Sequence, residues 1–261
     1  MSIYSSLFIC PAKLGLHMSR PIPIVQNVTF QLRYKPDLRF FNLFYGAAQK
    51  FPEFAHWQTD HLGITLKDFD NRCSLAIRHD MFAYNQDSSD ADLEETSIQK
   101  IMAELPASLG IESFLRFGYR KQFLVPLRMA FDNLVTILRV KLFSQNEDLR
   151  VVLPETIVDL MYRVDFAESD ERFHFTAGPV RKDEIPKWIT FNRNDHLRPE
   201  VADKEYPSLL NEYPDIALFL DIDMYRTGNL TSQEARDFYP IATARLEKLS
   251  GDFVQYLFSQ D

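Results

Sequence analysis

Cysteine is almost missing from this chain: Cys10 and Cys73 are its only two. A pair this isolated makes neither a disulfide framework nor a zinc site, and a reducing compartment, the cytoplasm, is the simplest setting. Glycine is scarce as well, with 8 residues in 261. None of them builds a phosphate-cradling loop or the glycine-flanked serine of a nucleophile elbow. No run approaches the roughly 20 apolar residues that cross a bilayer, so no membrane partner is expected. Ile3 to Cys10 is short and apolar, but no basic residue precedes it and Leu7-Phe8-Ile9 stands where a lipoprotein signal needs small side chains. No signal peptide is expected there. Met18 opens a more convincing start, and residues 1–17 read as an N-terminal extension.

Positive charge is also short. The formal net charge of −8 is the wrong sign for a protein that coats nucleic acid. The six histidines do not cluster, and the spacing of His56 and His61 suits neither a helix-face nor a strand-face metal site. No metal and no cofactor is therefore expected.

What the chain does have is apolar bulk. Hydrophobic residues make up 46% and charged residues 25%, with 22 Phe against 2 Trp. That composition excludes disorder and supplies a large core. Val28, Phe30, Leu32 and Tyr34 alternate with polar residues, which predicts a half-buried strand from Val25 to Tyr34. Pro36-Asp37 opens a helix that Pro52 stops. Two strands follow, Gly63–Phe69 and Cys73–Tyr84, then a helix from Leu93 to Leu105 ended by Pro106 and Gly110.

Leu115, Phe117, Tyr119 and Phe123 predict a strand within Glu112–Phe123, with Arg116, Gly118, Arg120 and Gln122 on its other face. A helix over Pro126–Phe143 and a hairpin of Ile157–Ala167 with Arg172–Pro179 come next. Residues 181–213 read as a long polar loop, a length more often functional than neutral. Ile216–Tyr225 is the last strand, with a turn at Thr227-Gly228-Asn229. The order predicts an α+β fold, a mainly antiparallel sheet with helices packed on one side. It also suggests two related β-α-β-β-α halves, residues 18–110 and 111–261.

The closing helix, residues 231–258, carries the clearest local signals. Thr231 and Glu234 have capping-box spacing. Ala235, Tyr239, Ala242, Leu246, Leu249, Phe253 and Tyr256 form a heptad stripe, and Pro240 is expected to kink the helix. Such a stripe serves the protein's own core, or meets a second copy or a protein partner.

Chemistry is sparser. Asp221 and Asp223, two apart on a strand, project on one face, and carboxylates so placed hold magnesium where a third acid, here Asp159 or Asp165, and a phosphate loop assist. With alternation as predicted, Arg33, Arg78, Arg116, Arg120, Arg163, Asp221 and Asp223 share one side of the sheet. That side is a candidate ligand-binding face or a wet surface of cross-strand ion pairs. Charge is segregated along the chain: acids dominate Asp80 to Glu112, and Arg116, Arg120, Lys121, Arg128, Arg139 and Lys141 follow with Asp132 the single acid among them. Few aromatics interleave with these bases, so nucleic-acid binding through residues 116–141 is the weaker reading. In the long loop, Trp188, Phe191, Arg193, His196 and Arg198 are candidates to gate or line a site.

Three segments carry a resemblance: Arg20-Pro21-Ile22-Pro23-Ile24-Val25, Phe114-Leu115-Arg116-Phe117-Gly118-Tyr119-Arg120, and Leu220-Asp221-Ile222-Asp223-Met224-Tyr225 with the helix ending Tyr256-Leu257-Phe258. Together they resemble a sporadically distributed family of bacterial proteins of unknown function. The resemblance implies a bacterial origin and the same order of elements, and it brings no catalytic residues. The sequence thus points to a cytoplasmic, non-enzymatic interaction module, self-associating or binding a protein partner through its polar sheet face and terminal helix, in a setting such as defence or toxin neutralisation. The alternatives are a metal-dependent phosphoryl-transfer enzyme or nucleotide binder at Asp221 and Asp223, and a nucleic-acid binder.

Overall fold

The computed structural model describes residues 21–87, 91–143, 157–189 and 211–259. The N-terminal extension and most of the long polar loop, including Phe191, Arg193, His196 and Arg198, lie outside the described residues.

Nine strands form one antiparallel sheet. They are β1 (Ile24–Arg33), β2 (His56–Asp60), β3 (Gly63–Asp68), β4 (Cys73–Arg78), β5 (Met81–Asp87), β6 (Phe114–Pro126), β7 (Tyr162–Glu168), β8 (Glu171–Arg181) and β9 (Ile216–Leu230). The helices are α1 (Phe40–Ala48), α2 (Ala91–Leu109), α3 (Phe131–Phe143), the single turn α4 (Ile185–Trp188) and α5 (Ser232–Phe258). The spatial order is β2-β3-β4-β5-β1-β6-β9-β8-β7. In each half the first strand pairs with that half's own last strand, β1 with β5 and β6 with β9, and the rest step outward from there. The two first strands meet in the middle, Phe30 opposite Tyr119, and one apolar core runs beneath both halves.

Period-two alternation decides which face that core occupies. Val28, Phe30 and Leu32 of β1, Phe117, Tyr119 and Phe123 of β6, and Leu218, Leu220, Ile222 and Met224 of β9 are all buried under α1, α2, α3 and α5. Among the described residues α4 is the one helix on the opposite face, where Ile185 joins Leu124, Val180, Ala217 and Phe219 in a small second cluster.

The capping box of α5 is formed: Thr231 Oγ1 accepts from the Glu234 amide at 3.2 Å while the Thr231 amide donates to Glu234 Oε2 at 2.7 Å. The buried stripe of α5 runs Ala235, Phe238, Ala242, Leu246, Ser250, Val254 and Leu257. It has drifted off the heptad line, because a helix lying on a sheet keeps about 3.6 residues per turn while a heptad needs 3.5. Tyr239 and Phe253 become part-buried flanks, and Tyr256 is exposed. The helix continues through Pro240.

Other boundaries differ from the sequence expectation for local reasons. Strand β2 escaped notice because all five of its residues are exposed, so an edge strand with neither face buried shows no alternation. The predicted strand from Cys73 to Tyr84 is a hairpin that turns at His79-Asp80, pairing Ile77 with Phe82. Helix α2 passes through Pro106 and ends at Gly110, whose φ of 65° sets a Schellman stop in which the Ile111 amide reaches the Pro106 carbonyl at 2.8 Å. A register shift between Phe114 and Arg116 throws Leu115 out of the predicted apolar row, leaving it 53% exposed. β9 continues past the predicted turn at Thr227-Gly228-Asn229, so that Leu230 pairs with Phe114.

Candidate functional site

The face of the sheet opposite α1, α2, α3 and α5 is polar where the sequence predicts it to be. Across the three strands β6, β9 and β8 the register sets Arg120 opposite Asp223, Gln122 opposite Asp221, and His174 and Thr176 opposite Asp223 and Asp221. Arg120, Asp221, Asp223, His174 and Thr176, with Arg116, Met161, Arg163, Trp188, Phe219 and Tyr225, line a groove of about 770 Å³. Its size suits a small ligand or a few side chains of a partner.

Ion pairs organise its floor. Arg120 holds Asp221 with two bonds, Nε to Oδ1 at 2.6 Å and Nη2 to Oδ2 at 2.5 Å. Arg116 Nη2 meets Asp223 Oδ2 at 2.8 Å, while its Nη1 donates to Gln31 Oε1 at 2.7 Å and the guanidinium lies over the Tyr225 ring. Gln122 Nε2 donates to the Trp188 carbonyl at 3.1 Å, which ties α4 to the floor. A Cβ at Gly118 would stand 3.1 Å from Arg116 Nη2, so glycine there lets the guanidinium lie close against the strand. Burial pushes the Asp223 carboxyl above the usual aspartate range, against the pull of Arg116 and Arg120. Burial also works against the Arg120 cation, but its bonds to Asp221 and the field of Asp221 and Asp223 outweigh it and raise its pKa.

Five of the seven sequence candidates, Arg116, Arg120, Arg163, Asp221 and Asp223, thus come together in one groove. Arg33 is on the same face opposite Arg116 and bonds Gln31 Oε1 at 3.0 Å, just outside the lining. Arg78 is placed elsewhere: on β4, it pairs with Asp60 at 3.4 Å. Neither acid offered as a third metal ligand joins the aspartates, for Asp165 pairs with His174, and Asp159 accepts from the Leu160 amide at 2.8 Å. Among the described residues no group of three or more His, Cys, Asp and Glu side chains is placed to hold a metal. A dication between Asp221 and Asp223 would compete with the guanidinium that each already holds.

The basic segment from Arg116 to Lys141 is split by the same alternation. Arg116 and Arg120 face the groove, whereas Lys121 points into the helix layer, 3% exposed, and bonds Glu247 Oε1 at 2.7 Å. The bases of β6 are thus divided between the two faces of the sheet. Among the described residues no helix is long and apolar enough to cross a membrane.

Sequence reasoning missed a second polar cluster, under the helices. Glu94 of α2 is buried and accepts hydrogen bonds from the hydroxyls of Tyr119 and, at 2.9 Å, Tyr239. Burial drives its carboxyl above the usual glutamate range, although both tyrosines and Lys121 pull it down. An available signal was Lys121 itself, a base on the apolar face of β6. The Cys73 thiol is free and buried, and burial pushes its pKa up to about 12, which removes it as a nucleophile. No protein-family model matches the chain, and no curated protein is significantly similar to it.

Proposed function

We propose that this chain is a non-enzymatic binding module that grips an anionic part of a protein partner in the groove on the sheet face opposite α5. One observation carries the reading: the aspartates of the groove are already committed to cations, Asp221 to Arg120 and Asp223 to Arg116, while Arg163 makes no ion pair or hydrogen bond among the described residues. Among the described residues three arginines line the groove against two aspartates. A surplus guanidinium in a groove that also has Trp188 and Tyr225 in its lining suits a carboxylate with an apolar neighbour. Both groove aspartates are ion-paired, Asp221 through both oxygens and Asp223 through Oδ2, which sets them to organise the arginines rather than to act as a general base. The apolar stripe of α5 is spent on its own sheet, which moves the recognition surface from the terminal helix to the groove.

The same arginines suit a phosphate, so a nucleotide is the second reading, favoured by the aromatic rings of Trp188 and Tyr225 in the same groove lining. The test uses the intact chain as bait beside Arg163→Glu and a surface control, Lys248→Glu. A partner retained by wild type and by the control but lost with Arg163→Glu is the expected result. A partner set indifferent to Arg163 overturns the reading. In a Trp57→Phe background, where Trp188 is the one tryptophan left, saturable quenching by a nucleotide selects the second reading.

A further inference from the structure

The helix-facing row of the central strand β6 should be apolar throughout, yet it includes Lys121 between Tyr119 and Phe123. Lys121 is 3% exposed and Glu94, which faces it from α2, is 1% exposed. Placing two ionisable groups here costs far more than two leucines would. Above them α2 and α5 leave a cavity of about 600 Å³. Its walls combine carboxylates, Glu95 from α2 and Glu247 from α5, with apolar surface from Ile98, Met102 and Pro240, and the ring of Tyr239.

We propose that this cavity binds a small primary ammonium compound with an apolar body. The walls are rich in acceptors. Lys121 engages Glu247 Oε1, and Gln99 engages Glu95 Oε1 at 2.8 Å; each carboxylate has a second oxygen. Pro240 has no N–H, so the Arg236 carbonyl loses its i+4 helical donor at the cavity wall. Among the lining residues the acids Glu95 and Glu247 outnumber the base Arg236. An ammonium supplies three donors and a positive charge, which matches both the acceptor excess and the charge. The Tyr239 ring adds a face that attracts cations. Tyr239, held by its hydroxyl on Glu94 and by edge contacts with Phe30 and Tyr119, is a rigid floor for the ligand. The site is on the opposite side of the sheet from the arginine groove and does not depend on it.

The test titrates the full chain with n-hexylamine, 1-hexanol and hexanoate, read by protein-observed NMR shifts. Saturable shifts around Tyr239 and Glu247 with hexylamine, and none with the other two, are expected. Glu95→Gln, an exposed substitution that leaves the core untouched, should weaken the amine about tenfold, the loss of one charge-assisted contact. Ala244→Phe, which fills the mouth of the cavity from an exposed position, should abolish binding. Lys50→Ala, an exposed substitution outside both sites, should leave it unchanged. Equal binding of hexanol would reduce the site to an apolar crevice and overturn the proposal. So would the absence of saturation by about 10 mM amine, well above the range of a specific small-ligand site, or affinity unaltered by both cavity variants.

Discussion

Arg120 on β6 and Asp221 on β9 form a bidentate pair across neighbouring strands, Nε to Oδ1 at 2.6 Å. Their side chains keep 32% and 13% of their exposure, so the pair is neither a surface ornament nor fully desolvated. Breaking one half leaves the other partly buried and unmatched.

Asp221→Ala should therefore destabilise by about 1–3 kcal/mol. In a double-mutant cycle with Arg120→Ala the coupling should be about 1–2 kcal/mol, measured by urea denaturation. Additive single effects would show that the two side chains are independent in solution.

Glu94 gives a pH dependence with a fixed sign. Its folded pKa lies above the ordinary glutamate value of 4.5 because burial penalises the charge. Its stabilising contribution is complete below that ordinary value and is lost as pH rises through the folded value. Glu94→Gln does not titrate. The stability of wild type relative to this variant should fall steadily from about pH 4 toward neutrality, as followed by thermal unfolding across the range. A constant difference would contradict the burial of the carboxylate.

Two glycines should respond in opposite directions. A Cβ on Gly63 would stand 2.1 Å from the Ile77 carbonyl oxygen, at a φ of 155° that L-residues rarely adopt. Both obstacles are backbone, so Gly63→Ala should cost about 3 kcal/mol or more. Gly251, inside α5, has nothing within 4 Å of its would-be Cβ. Gly251→Ala should stabilise by about 0.5–1 kcal/mol through helix propensity. Chemical denaturation of the two variants checks both.

The start of α5 is held by Thr231 and Glu234 acting on each other's backbone. Thr231→Ala should cost about 1 kcal/mol. Glu234→Ala added to it should cost less than it does alone, since half of the box is already gone.

Local patterns were legible in the sequence where one face of an element is buried. The alternation of Val28, Phe30 and Leu32 announced β1, and Thr231 with Glu234 announced α5, because each signal is written in neighbouring residues. The polar face with Arg116, Arg120, Asp221 and Asp223 followed from the same alternation. Three things were left to the tertiary structure. Strand order placed Arg163 with these residues and kept Arg78 apart, and no local pattern encodes which strands become neighbours. The edge strand β2 has no buried face and so wrote no period. The Glu94, Tyr119 and Tyr239 cluster joins α2, β6 and α5; its members look unrelated along the chain because hydrogen bonding through the core depends on distance in space. The two aspartates illustrate the division: two residues apart on a strand, they had to share a face, but only the approach of β6 gave each an arginine.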